Sequence, residues 1–136
     1  MKRLSMSLLS VFVAVATGCG IGPEIDDFNE AAVAAAAAGC ECPGLLYSSE
    51  EECREDTIPT AAEQACVEAL FKNIEGDYEP HLVCRTSATN RLTNCLNSRT
   101  CTDVARLTCG IDYADEVEDC PAFPADVQQE LNECRT

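Results

Sequence analysis

The chain has 136 residues, 11 of them cysteine, and its 24 acidic residues outnumber its 9 Lys and Arg for a net charge of −15. Its length fits one domain. Nucleic-acid binding is disfavoured because phosphates require basic patches, and attraction to anionic lipid head groups is disfavoured for the same reason. The charge is typical of a solvated, self-repelling surface that keeps a protein soluble.

The first 19 residues have the organisation of an export signal. Two basic residues at positions 2 and 3 precede an apolar run over 4–15, which ends in Ala16-Thr17-Gly18-Cys19. A charged start, a short apolar stretch and a small-residue exit predict a secretory signal peptide. The exit resembles a bacterial lipobox, in which the cysteine is acylated and becomes the mature N-terminus, although Ala16 stands where Leu is usual. We therefore predict a signal peptide over 1–18 and lipidation at Cys19.

Two alternatives to this interpretation remain open. An ordinary cleaved signal would leave Cys19 as one more thiol. A membrane span is less favoured because the apolar run is shorter than the ~18–20 residues that a span requires.

The cysteine count agrees with a lipid on Cys19. Removal of the signal leaves 118 residues with a net charge of −17, and ten further cysteines remain, an even number. Exported chains keep disulfides, so we predict that all ten are paired. These cysteines are Cys40, Cys42, Cys53, Cys66, Cys84, Cys95, Cys101, Cys109, Cys120 and Cys134. Since the apolar content is largely alanine and each disulfide contributes roughly 2–4 kcal/mol, we expect disulfides to stabilise the fold more than the core does.

After the signal we predict a tether over 19–30 and a disulfide-rich helical domain over 31–136. The alanine-rich stretch at 31–38 predicts a helix from about residue 26, which Gly39 ends in a left-handed turn. A low-complexity spacer is the alternative. Either Asp26 or Asp27 is the expected N-cap of this helix.

Capping patterns predict the next two helices. Ser48 and Ser49 stand three residues before Glu51 and Glu52, which predicts a short helix through Cys53. Another capping box, Thr60 with Glu63, predicts a helix to about residue 74. The apolar line expected on this second helix is Ala62, Cys66, Ala69, Leu70 and Ile74.

The second half of the chain is also helical in pattern. The longest helix is predicted from Tyr78 or Pro80 to residue 97, and the next begins at Thr100 or Thr102 and stops at Gly110. Apolar residues at 113, 117 and 120 and at 127, 131 and 134 predict further helical segments, the last beginning at Pro124. No stretch alternates as a strand does, so we predict an all-α fold, a small disulfide-stapled bundle of about five to six helices.

Cysteine spacing limits the disulfide pattern. Cys84 and Cys95 are eleven residues apart on one predicted helix, about 16 Å, so they must have different partners. One intervening residue makes a bridge between Cys40 and Cys42 too strained. The pairs 42/53 and 109/120 cross predicted turns and can bridge locally. Spacings of 11 and 13 (42, 53, 66) resemble those of 11 and 14 (109, 120, 134), which predicts two related hairpins around a central long helix unless the repeat is coincidence.

Positive charge collects in one part of the chain. Residues 80–108 contain Arg85, Arg91, Arg99 and Arg106 against a single acid, Asp103. A basic central helix between acidic neighbours would relieve some self-repulsion, although each exposed ion pair contributes little.

No motif in the sequence indicates catalysis or metal binding. The single histidine, His81, lies in the first turn of a predicted helix with no nucleophile motif, so we assign no catalytic residue. Cys40-x-Cys42 lacks the second close pair of a zinc site, and the acidic clusters lack the ligand pattern of an EF-hand. No metal and no cofactor are expected.

Taken whole, the chain resembles the small cysteine-rich lipoproteins of Gram-negative envelopes. Residues 1–19 carry the resemblance, with the density of cysteines after them, and Gly20 in place of Asp after Cys19 implies the outer membrane. The resemblance implies a domain in the periplasm or at the cell surface. It also implies a non-enzymatic structural or protein-binding role, with an envelope or extracellular protein as partner. The alternative is a small-ligand carrier or secreted hydrolase that uses a pocket near His81, which a deep apolar cavity with convergent polar groups would favour.

Overall fold

The computed structural model describes residues 20–44 and 46–135, and these residues form six α-helices and no strand. The all-α prediction is confirmed. The helices are α1 (Gly22–Cys40), α2 (Glu50–Thr57), α3 (Ala61–Asn73), α4 (Glu79–Ser98), α5 (Asp103–Glu118) and α6 (Ala125–Glu133). Within the described part of the chain, none of these helices combines the length and hydropathy needed to cross a membrane. The predicted signal peptide over 1–18 and the predicted lipidation site Cys19 lie outside the described residues.

Helix α1 starts earlier and ends later than predicted. It begins at Gly22 with Pro23 in its first turn, where a missing N–H is harmless. Most of the expected tether is therefore helical, and Ile25 and Phe28 from it are buried in the core. Gly39 does not end the helix in a left-handed turn, because Arg106 donates a 2.8 Å hydrogen bond to its carbonyl and the helix continues to Cys40.

The capping predictions for α2, α3 and α5 are confirmed. Ser49 and Thr102 each accept a hydrogen bond from the backbone N–H three residues on. Thr60 and Glu63 form a reciprocal capping box, which satisfies two N–H groups that the helix leaves unpaired. These side chains set where the helices begin.

Gly110 does not interrupt α5, contrary to the prediction. The helix runs through it from Asp103 to Glu118 and merges two segments that we expected to be separate. A glycine inside a helix costs about 1 kcal/mol relative to alanine. Disulfides Cys95–Cys109 and Cys84–Cys120 hold this helix against α4 on either side of the glycine, and they offset that cost.

Packing is organised around α1, which contacts α2, α3 and α4; α5 lies on α4, and α6 lies on α3. Two arms, α4 with α5 and α3 with α6, thus extend from α1. The hydrophobic core lies where α1, α3, the start of α4 and α6 meet, and its members include Ile25, Phe71, Leu82, Phe123 and Leu131.

The buried face of α3 differs from the predicted apolar line. Val67, Leu70 and Phe71 are buried, whereas Ala62, Cys66 and Ala69 are exposed. The helix rotates toward its larger side chains because apolar area removed from water sets the gain. The predicted stripe on α6, by contrast, is buried at Val127, Leu131 and Cys134.

All ten cysteines beyond Cys19 are paired, as predicted. The five disulfides are Cys40–Cys53, Cys42–Cys101, Cys66–Cys134, Cys84–Cys120 and Cys95–Cys109. The prediction that Cys84 and Cys95 have different partners is confirmed. Cys84, nearer the start of α4, bonds to Cys120 just after α5, and Cys95, nearer the end of α4, bonds to Cys109 within α5. The local bridges considered for 42/53 and 109/120 are wrong.

The predicted pair of related hairpins around a central long helix is also wrong. Among the described residues, α2 does not pack on α3, nor α5 on α6, and α1 rather than α4 is the central helix. Helices α2 and α5 each bury a single residue, Cys53 and Cys109 respectively, and both are disulfide-bonded. These two helices are held in place chiefly by disulfides.

Candidate functional site

A cleft of about 370 Å³ opens between the two arms. Phe28, Ala32 and Ala35 of α1 form its floor. One wall comes from α4 and α5, and the rest of the lining comes from α2, α3, α6, the segments before α3 and α6, and the chain after α6. Alanine side chains on the floor leave the space that larger residues would fill. We call this space the Arg85 cleft, after the cation in its wall.

Arg85 is a half-buried cation that has no carboxylate partner in the described part of the chain. It projects from α4 with its guanidinium carbon 4.6 Å from the centroid of the Phe123 ring, a cation–π contact. Its Nε is buried and has no hydrogen-bond partner among the described residues, and none of the three ion pairs found there includes it. A buried donor without an acceptor costs about 1–3 kcal/mol or more. Because this Nε is enclosed, an external acceptor would have to bind the remaining part of the guanidinium, on the half-buried side chain that lines the cleft.

The carboxylates that line the Arg85 cleft are already engaged. Asp56 accepts a 2.7 Å hydrogen bond from the Tyr47 hydroxyl, which raises the pKa of that tyrosine. Glu63 accepts from the Thr60 backbone, and this bond lowers the pKa of the Glu63 carboxyl, with a smaller contribution from the positive charge of Arg135. The cleft is thus lined by two carboxylates, Asp56 and Glu63, and two guanidinium groups, Arg85 and Arg135, of which Arg85 is half-buried and Arg135 is exposed.

His81 lies beside the cleft rather than in its lining. Its ring stacks on Phe123 with centroids 5.3 Å apart, and Tyr78 lies against it at 5.6 Å. Within the described residues it forms no ion pair with Asp77 or Glu79, and its Nδ1 is buried without a partner. Phe123 therefore separates His81 from the space that a ligand could enter.

A second exposed feature lies on α5, on the side away from α4. Val104, Leu107 and Ile111 are 75%, 65% and 53% exposed. Their spacing of three and four residues places them on one face, which we call the α5 stripe. Asp103 and Asp115 flank it by helical register, and both are exposed. Exposed aliphatic side chains in a row, rimmed by charge, are typical of a protein interaction site.

The basic residues of 80–108 have different roles. Arg91 pairs with Glu116 across α4 and α5 at 2.6 Å. Arg106 binds the last turn of α1 through the Gly39 carbonyl, where the helix dipole favours a cation. Arg99 is exposed, and Arg85 faces the cleft.

The sequence pointed to these features only in part. The sequence showed the excess of arginine over residues 80–108. It did not show that Arg85 faces a cleft shared with α6, because that placement depends on how the two arms diverge from α1. The α5 stripe could have been found from its spacing, had Gly110 not been taken as the end of a helix.

Among residues 20–44 and 46–135, no group of three His, Cys, Asp or Glu side chains is placed to hold a metal ion. The five disulfides are typical of an oxidising, extracytoplasmic compartment. Comparison of the chain with protein-family models, curated proteins and solved structures finds no match.

Proposed function

We propose that the chain is a lipid-anchored envelope protein that binds another envelope or extracellular protein through the α5 stripe. The observation that carries the proposal is the exposed row of Val104, Leu107 and Ile111. Helix α5 is held by two disulfides to α4, so this face is rigid before a partner arrives. A preorganised surface avoids part of the ordering cost of association.

The partner's chemistry follows from the surroundings of the stripe. Asp103 and Asp115 would face a partner's rim, so an apolar surface flanked by Lys or Arg is complementary. A second copy of the chain that docked through the same face would bring carboxylates near carboxylates, and like charges placed together at an interface cost free energy. A basic, aliphatic partner surface is therefore favoured over self-association.

Site-specific crosslinking tests this binding role. A photoreactive residue in place of Leu107, in the full chain in its native cells, should give a discrete protein adduct. The same residue in place of the exposed Gln129 on α6 should not. In a second set of variants the photoreactive residue replaces Ile111. Leu107→Glu should suppress the adduct formed from position 111, whereas Gln129→Glu, with the same charge change, should leave that adduct intact. Equal adducts from both sites, or none from either, would refute the proposal.

The anchor rests on the lipobox resemblance at 16–19. Intact mass analysis should find an acylated Cys19 at the mature N-terminus, and the Gly20 that follows favours the outer membrane. Cys19→Ala should give an unprocessed precursor or a soluble form. A membrane-bound, normally processed Cys19→Ala protein would contradict the anchor.

A small-ligand carrier is the second candidate, and the Arg85 cleft is the observation that favours it. Its volume lies within the ~300–1,000 Å³ range of small-molecule sites. His81 stacks on Phe123 and does not line the cleft, so a ligand there would contact Arg85 and the other lining residues and not His81.

A further inference from the structure

We infer that the Arg85 cleft binds a small organic carboxylate with an apolar body. The inference is independent of the α5 stripe, which lies on another face of the molecule. Four features carry it: an unpaired cation, an apolar floor, a suitable volume and walls fixed by disulfides.

The cation supplies the specificity. Arg85 is half-buried, and among the described residues it forms no ion pair with Asp56 or Glu63, the two carboxylates of the lining, each of which accepts a hydrogen bond from a neutral donor. A guanidinium presents several donors in one plane, so it can hold a carboxylate through two parallel hydrogen bonds. The Phe123 ring at 4.6 Å supports the guanidinium from one side and limits its orientations.

One part of the lining suits an apolar group, and the remainder is polar, with Glu63, Gln128 and Asn132 among its residues. Phe28 and Leu131 are buried side chains that line it, and Leu92 is half-buried. Thr89, which is 9% exposed, adds a hydroxyl one turn along α4 from Arg85. A ligand with a carboxylate at one end and an aromatic or aliphatic body would meet both kinds of surface.

The walls of the cleft are preorganised. Cys66–Cys134 ties α6 to α3 on one side, and Cys84–Cys120 joins α4 to the chain after α5 on the other. Cys84, which is bonded to Cys120, directly precedes Arg85 in the sequence. The space therefore persists without a ligand, and binding does not require the arms to be ordered.

The test uses three probes of similar shape and different charge: 4-phenylbutyrate, 4-phenyl-1-butanol and 4-phenylbutylamine. Each is titrated into the mature protein with intact disulfides while backbone amide chemical shifts are followed by NMR. We expect the acid to bind at least about tenfold more tightly than the amine, the size of one charge-assisted hydrogen bond. The largest shifts should be at Thr89 and Leu92.

Variants assign the effect to its cause. Arg85→Gln should remove the preference for the acid, and Arg85→Lys, which keeps the charge but not the planar fork, should retain only part of it. Arg99→Gln makes the same charge change at an exposed residue outside the cleft and should have no effect. Ala35→Phe fills the floor and should abolish binding of all three probes.

Several outcomes would overturn the inference. They are equal affinity for the three probes, no binding by the wild-type protein, and equal losses in Arg85→Gln and Arg99→Gln. Shifts confined to α5 residues would place the apolar group on the α5 stripe and would also refute it. Loss of crosslinking at Leu107 would leave this result unchanged, so the two proposals fail separately.

Discussion

Removing the Cys66–Cys134 disulfide should weaken the attachment of α6 to the rest of the fold. This bond joins α3 to α6, and α3 is the only helix in the described part of the chain on which α6 packs. The perturbation is the double variant Cys66→Ala/Cys134→Ala. Its matched control is Cys95→Ala/Cys109→Ala, which removes one of two bonds between α4 and α5.

Loop lengths give the expected magnitudes. Cys66 and Cys134 are 68 residues apart, and the chain-entropy model assigns such a loop about 4 kcal/mol. Cys84–Cys120 lies inside this loop and shortens the free chain to roughly half, but the logarithm leaves the value near 4 kcal/mol. Cys95 and Cys109, 14 residues apart, give about 3 kcal/mol. Against a typical net stability of ~5–15 kcal/mol, both losses are large.

Urea unfolding followed by circular dichroism measures both losses. We expect the Cys66→Ala/Cys134→Ala variant to lose more free energy of unfolding than its control, and in a thermal melt its Tm should fall by on the order of 15 °C. Hydrogen exchange should show faster exchange for the amides of α6 but not for those of α4. Unchanged protection of α6, or a larger loss in the Cys95/Cys109 variant, would contradict the structural role assigned to the bond.

Three further predictions follow from single features of the fold. Thiol titration of the unreduced mature protein in denaturant should find no free cysteine, and two or more would contradict the five disulfides. Hydrogen bonds from Ser48 and Thr60 lower the pKa values of Glu52 and Glu63 below 4.5, so their stabilisation is complete above that value and is lost as pH falls through the folded-state pKa. Glu63→Gln should therefore lose less stability than wild type between pH 6 and pH 3, with Glu55→Gln as the charge-matched control. Gly110→Ala should raise stability by about 0.5–1 kcal/mol in urea unfolding, because a methyl group there meets no atom within 4 Å.

Local signals predicted the starts of α2, α3 and α5 because their cause is local, whereas α1 begins at Gly22, before the expected caps Asp26 and Asp27. A Thr60 side chain and a Glu63 carboxylate three residues later satisfy each other's backbone N–H groups wherever the helix packs. The helix ends were harder to predict, because a glycine such as Gly39 or Gly110 often marks the end of a helix. In the structure both glycines lie inside helices and are supported by residues distant in sequence. Arg106 binds the carbonyl of Gly39, and two disulfides to α4 hold the chain on either side of Gly110.

The disulfide pattern was predictable in its exclusions and only partly in its pairs. Helical geometry alone separated Cys84 from Cys95. The same spacing of eleven residues at 109/120 allows two bonds between antiparallel helices, because equal steps on the two helices keep both pairs in register. This pairing required Gly110 to be inside a helix, and the turn predicted there hid it.

The alanine stretch of α1 shows most clearly what composition cannot say. By sequence, Ala31 and Ala35 are equivalent residues one turn apart. In the structure Ala31 is 3% exposed, whereas Ala35 lines the floor of the Arg85 cleft and is half-buried. The stretch therefore has two roles, since it allows close packing of α1 at one position and leaves open space at another.

This difference predicts opposite results for the same substitution. Ala31→Leu adds an isobutyl group in place of a methyl where no space exists, and overpacking should cost about 1–3 kcal/mol. Ala35→Leu extends into the cleft and should change the free energy of unfolding by less than about 0.5 kcal/mol, as a change at an unstrained position does. Leucine has nearly the helix propensity of alanine, so propensity does not account for the contrast. Urea unfolding of the two variants measures it directly. Equal losses would mean that the space beside Ala35 is closed in solution, and the cleft between the arms would lose its physical basis.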